Sequence, residues 1–154
     1  MRGRMLRQRR MSIGSAVVLV GLIAACAGLP VKERMTQGLQ SVHAAASQAQ
    51  EFEISAYTAE LVPRANYTEA DHRRFHAGLA AVFDAEVAVA SALQSWAPGD
   101  APPASLAAAI AGAQNAVQAL SSLAPDGPMG RALQYATATL NGLLTVQAQL
   151  AEAQ

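Results

Sequence analysis

His72 and His76 lie four residues apart in the stretch EADHRRFH. At helical spacing both imidazoles fall on one face, and such a pair can hold a transition metal. Glu69 stands three residues before His72, the Glu-x-x-His spacing of di-metal carboxylate sites in helical bundles. Such sites need a second copy of the motif and two further glutamates facing it. The remaining histidine, His43, has Gln40 three residues before it, so no second copy exists. Glu69 also opens a helix, where a carboxylate is expected beside the positive end of the dipole. In a hairpin turning near Pro63, His43 falls opposite residues near 88, many turns from the pair. No metal and no resident cofactor are therefore expected, and His72 and His76 are the nearest candidates for a metal site.

Glu86 is the most unusual single position. It interrupts an otherwise apolar stripe, Phe75, Leu79, Val82, Glu86, Val89, Leu93 and Trp96. The expectation is that the stripe drifts and Glu86 reaches water from its margin. The alternative is a buried polar group that fixes helix register or lines a small cavity, facing Gln147 or a group of the first helix. Burial would then raise its pKa by desolvation. Serine, histidine and aspartate are all present, but no G-x-S-x-G elbow, glycine-rich phosphate loop or C-x-x-C-H haem motif accompanies them. A non-enzymatic protein is expected.

The only thiol, Cys26, has a different context. The chain opens MRGRMLRQRR, with five arginines and no acid, and an apolar run from Met11 to Ala25 follows. A basic segment, an apolar segment and a small-residue exit form the pattern of an export signal, residues 1–25. The arginines stay on the cytoplasmic side, which delivers the rest outward. Ile23-Ala24-Ala25-Cys26 resembles the lipobox of bacterial lipoproteins, with Ile23 where leucine is usual. That resemblance implies cleavage before Cys26 and covalent lipid on its sulfur. Residues 26–30 would form a lipidated tether that holds the protein to the membrane. Each buried acyl CH₂ is worth ~0.8 kcal/mol of membrane affinity, and two chains give stable anchoring. An uncleaved anchor over Met11–Leu29 remains the alternative, since ~20 apolar residues span a bilayer. Ala27 after the lipidated position implies onward transport to the outer membrane in diderm bacteria. The expected address is the cell envelope, facing the periplasm or the exterior.

All eleven acidic residues follow Cys26, against six basic ones, Lys32, Arg34, Arg64, Arg73, Arg74 and Arg131, a net of −5 for the exported part. An acidic domain without a basic stripe argues against nucleic acid. With one cysteine no internal disulfide is possible, so packing alone must supply stability.

The elements that must position these residues are helices. The chain after Pro30 is rich in alanine, glutamine, serine and leucine, with few β-branched clusters. VPRANYT, APGDAPP and APDGPMG divide it into four segments with alternating three- and four-residue apolar spacing. The first helix is expected at about Val31–Leu61, with a seam of Val42, Ala45, Ala49, Phe52, Ala56 and Ala59 behind Met35 and Leu39. The second runs from about Glu69 to Ala97, capped by Thr68 with Asp71 completing the box. The third runs over about Pro103–Leu123 on Leu106, Ile110, Ala113, Val117, Leu120 and Ala124. The fourth runs over about Pro128–Ala151, capped by Asp126 or Gly127, on Met129, Leu133, Ala136, Leu140, Leu143, Gln147 and Leu150. Four such helices on short connections predict an all-α, antiparallel up-down-up-down four-helix bundle over residues 31–154. Phe52, Phe75, Phe83, Trp96 and the leucines are expected to carry most of the burial.

In length and layout the chain is similar to small helical lipoproteins of bacteria and their phages. That likeness brings no functional residue with it. The expected role is a membrane-anchored envelope protein that presents helical faces to a protein partner or to a second copy of itself. The alternative is a small-ligand or metal carrier using the interior near Glu86 or the His72/His76 face. A phage-encoded lysis or exclusion role fits the same address.

Overall fold

The computed structural model describes residues 30–58, 68–97, 99–124 and 127–153. The signal or anchor, Cys26, residues 59–61 and Asp126 lie outside the described residues, as does the side chain of Ala56. Four helices follow in order: α1 Val31–Thr58, α2 Glu69–Ser95, α3 Ala104–Leu123 and α4 Pro128–Glu152. No strand occurs among the described residues. The chain separates into a unit ending at Arg34 and a bundle unit from Met35 onward.

Each start has a local cause. Thr68 caps α2 through its hydroxyl, which accepts from the Asp71 N–H at 3.2 Å, and the Asp71 carboxylate accepts the Thr68 N–H at 2.8 Å. The Thr68 N–H, and the Thr68 hydroxyl donating to the same oxygen at 2.7 Å, hold the Asp71 carboxyl below its ordinary pKa. Pro103 serves as the N-cap of α3 rather than as its first helical residue. Gly127 caps α4 at φ +123, a backbone angle that favours glycine, and Pro128 takes the first helical position.

The bundle closes through contacts between each neighbouring pair. His43 meets Glu86 and Glu53 meets His76, so α1 and α2 run antiparallel. Gly78 of α2 lies under the Leu120 side chain of α3, and Gln114 of α3 bonds Asn141 of α4. Leu143 of α4 crosses Gly38 of α1 so closely that a Cβ there would stand 2.7 Å from Leu143 Cδ2. The result is an antiparallel up-down-up-down bundle. Its core contains Met35, Val42, Phe75, Val82, Val89, Leu106, Ile110, Val117, Leu120, Leu133 and Leu140, none more than 1 % exposed. Trp96 closes one end, its indole N–H donating to the Asp100 carbonyl at 2.9 Å. Of the described helices, α2 alone is long and apolar enough to cross a bilayer. Phe75, Leu79, Val82, Val89, Ala92 and Leu93 of this helix are buried in the bundle, whereas Val87 is 68 % exposed.

The expected seam of α1 needs one correction. Phe52 is 37 % exposed, and the inward position belongs to Glu53, which is fully buried. The reason is angular. Glu53 follows Met35 by eighteen residues, about five whole turns, whereas Phe52 stands ~100° off that line. An acid holds the stripe, so Phe52 contributes less burial than an inward phenylalanine would. Ile54 and Tyr57 are exposed as well.

Candidate metal centre on the α1–α2 seam

Glu53 lies in the last turns of α1, and His72 and His76 lie in the first turns of α2. The antiparallel hairpin brings these ends together. Glu53 Oε1 is 2.6 Å from His72 Nδ1, and Glu53 Oε2 is 3.1 Å from His76 Nε2. The carboxylate is fully buried, while the imidazole side chains are 25 % and 33 % exposed. Tyr57, one turn beyond Glu53, stacks on His72 at 3.9 Å and 8° between planes, which holds the ring upright. His72 and His76 meet edge to face at 4.5 Å.

One donor from each of Glu53, His72 and His76 can be chosen so that the three atoms lie within 4.8 Å of one another. Two imidazole nitrogens and one carboxylate oxygen suit zinc, copper, nickel or ferrous iron. Magnesium and calcium call for oxygen ligands throughout. Three protein donors also leave a coordination position for solvent, and the partial exposure of both imidazoles keeps that side accessible.

The other candidates fall elsewhere. Glu69 accepts from Arg73 at 3.0 Å, and both side chains are about two-thirds exposed, so the Glu69–His72 spacing builds no shared site. Glu86 does not reach water from the stripe's margin: it is 6 % exposed and pairs with His43 Nδ1 at 2.7 Å. Gln147 is not its partner. Burial raises the Glu86 pKa, and the hydrogen bond and charge of His43 oppose that shift. Glu86 Oε1 is buried without a hydrogen-bond partner. His43, itself largely exposed, rests against Phe83 at 5.2 Å. A groove of about 410 Å³ between α1 and α4 is lined by Ser41, Ala45, Gln48, Glu51 and Tyr135 among others. It is shallow and open.

Sequence reasoning misses Glu53 because a phenylalanine stands beside it and apolarity assigns that neighbour the inward position. Two signals were available. One is the five-turn spacing from Met35. The other is the hairpin register: placing His43 opposite residue 88 also places Glu53 opposite residue 78, beside His76.

Comparison with known proteins finds no matching family model, no matching curated protein and no matching solved structure.

Proposed function

We propose that this chain is an envelope lipoprotein whose helical bundle binds a divalent transition-metal ion through Glu53, His72 and His76. One observation carries the metal reading: a fully buried carboxylate is clasped by two imidazoles from the neighbouring helix. An isolated buried carboxylate is expensive, and natural proteins keep one where a proton, a cation or a metal offsets its charge. The envelope address rests on the arginine-rich start, the apolar run and the Ile23-Ala24-Ala25-Cys26 sequence.

Calorimetric titration of the full chain with zinc, copper, nickel and cobalt tests the reading, with Glu53→Gln and His72→Ala beside it. One equivalent bound at micromolar affinity by the wild type, and weakened in both variants, supports it. Absence of binding by all four metals rejects it. For the anchor, Cys26→Ser should abolish a lipid mass increment and release the protein from membranes. An unmodified thiol in the wild type rejects that part alone.

A second reading, contact with a protein partner or a second copy, is favoured by Phe52, Ile54 and Tyr57, exposed by 37 %, 42 % and 44 % near the end of α1. Light scattering of wild type and Ile54→Ser tests self-association, and affinity capture tests a partner. A chain that stays monomeric at high concentration and captures nothing rejects it.

A further inference from the structure

The pairs His43–Glu86 and Glu53–His76 are set by a single helix offset. Moving ten residues forward on α1, from 43 to 53, moves ten residues back on α2, from 86 to 76. The charges exchange sides: histidine then glutamate along α1, histidine then glutamate along α2. The two contacts stand about 15 Å apart along the seam. Between them the buried residues of α1 are Ala45, Ala46 and Ala49. Between the two pairs these methyl groups give α2 a smooth face with no side chain to key the offset; outside them, the fit of Gly38 under Leu143 of α4 holds α1 at one point.

Consider such a slip. If α1 shifts by four residues in one sense, Glu53 comes opposite His72 instead of His76 and keeps an imidazole. Glu86 then comes opposite Leu39, and its buried carboxylate loses its partner. In the other sense Glu53 comes opposite Ala80 and Glu86 opposite Ser47. The Glu53 cluster alone therefore tolerates one of the two slips, whereas Glu86 loses its imidazole in both: it meets only apolar Leu39 in the first and exchanges a charged partner for the neutral Ser47 hydroxyl in the second. We infer that the His43–Glu86 pair is a register lock, positioning Glu53 between His72 and His76 so that all three donors converge. A lone buried polar group that fixes register at a cost in stability is the best-attested use of such residues. The link to the metal rests on the metal-binding reading; the register role is measured separately.

The discriminating variant is Glu86→Leu, with Glu86→Gln beside it to keep the side-chain shape. A buried, incompletely bonded carboxylate replaced by leucine should leave urea stability equal or higher. A register lock predicts that zinc affinity nevertheless falls at least tenfold in Glu86→Leu. Register itself is read in metal-free full-length protein carrying Cys26→Ser, with spin labels at Gln40→Cys and Ala77→Cys, both exposed. A one-turn slip changes their axial offset by about 6 Å. The expected result is one distance in the wild-type background, two in Glu86→Leu, and one again when the pair is exchanged as His43→Glu with Glu86→His. The exchanged variant should also recover zinc affinity. A single wild-type distance in both Glu86→Leu and Glu86→Gln overturns the register role, whatever the metal does. Two distances with unchanged zinc affinity overturn its link to the site. If the wild type binds no metal, the metal reading is lost and the label distances still decide the register claim.

Discussion

Removing His76 separates a metal site from a structural polar cluster. Zinc bound only to the folded state at a hundredfold excess over its dissociation constant adds ~2.7 kcal/mol of stability. For a bundle of this size that raises the midpoint of thermal unfolding by about 10 °C. His76 supplies one of three donors, and loss of even an outer-shell partner weakens metal sites by about 10–100-fold. Taking the upper figure for a direct ligand, the same zinc concentration then only equals the dissociation constant of His76→Ala. The gain drops to ~0.4 kcal/mol, about 2 °C. Without zinc, His76→Ala loses one hydrogen bond to Glu53 Oε2 and falls by ~1–2 kcal/mol. Metal-free stability and metal-dependent gain thus change by separate, predictable amounts. Differential scanning calorimetry with zinc, with magnesium and with chelator measures both. Arg73→Ala is the control: Arg73 pairs with Glu69 on the exposed face of the same helix and should keep the full zinc shift. Equal zinc shifts in wild type and His76→Ala, or an equal shift with magnesium, would refute the assignment.

Three further outcomes follow from the packing and the charges. Phe75→Ala removes a fully buried ring from the second turn of α2 and should cost ~3–5 kcal/mol in urea unfolding. Thr68→Ala removes the cap of α2 next to His72 and should cost ~1 kcal/mol in the same assay. Glu86 titrates above its ordinary value of 4.5 in the folded state, because burial disfavours its charge. Its contribution is therefore full below pH 4.5 and is lost as pH rises through the higher folded value. Subtracting the stability–pH curve of Glu86→Gln from that of wild type should give a line falling across that window; a flat or rising difference contradicts the burial argument.

Much of the fold was legible in the sequence because its causes are local. Apolar residues every three or four positions mark helix faces, and Pro and Gly end helices whatever surrounds them. Thr68 with Asp71 announces a start. The observed helices begin within one residue of the expected positions, and the seams of α2 and α3 run inward almost as written. Where α1 differs, the cause is a choice between two neighbours. Apolarity favours Phe52 and phase favours Glu53, and over five turns phase prevailed. His72 and His76 were visible as a pair, but their third companion lies nineteen residues before the first of them, in a different helix. The five-turn spacing from Met35 turns Glu53 inward, but no pattern within one helix names the histidines it meets. Glu86 was conspicuous for the opposite reason: it stood alone in an apolar stripe, so its oddity was local while its partner was not.

The sequence by itself determined four amphipathic helices, where each begins, which face of most of them turns inward, and the acidic surface they share. Helical phase and chain stiffness act over a few residues, so one chain read in order contains that information. The tertiary structure alone decided that Glu53 meets His72 and His76, and that Glu86 meets His43. Those meetings depend on the sliding offset between two helices. That offset is a single number chosen jointly by every side chain in their interface, and no short stretch of residues carries it.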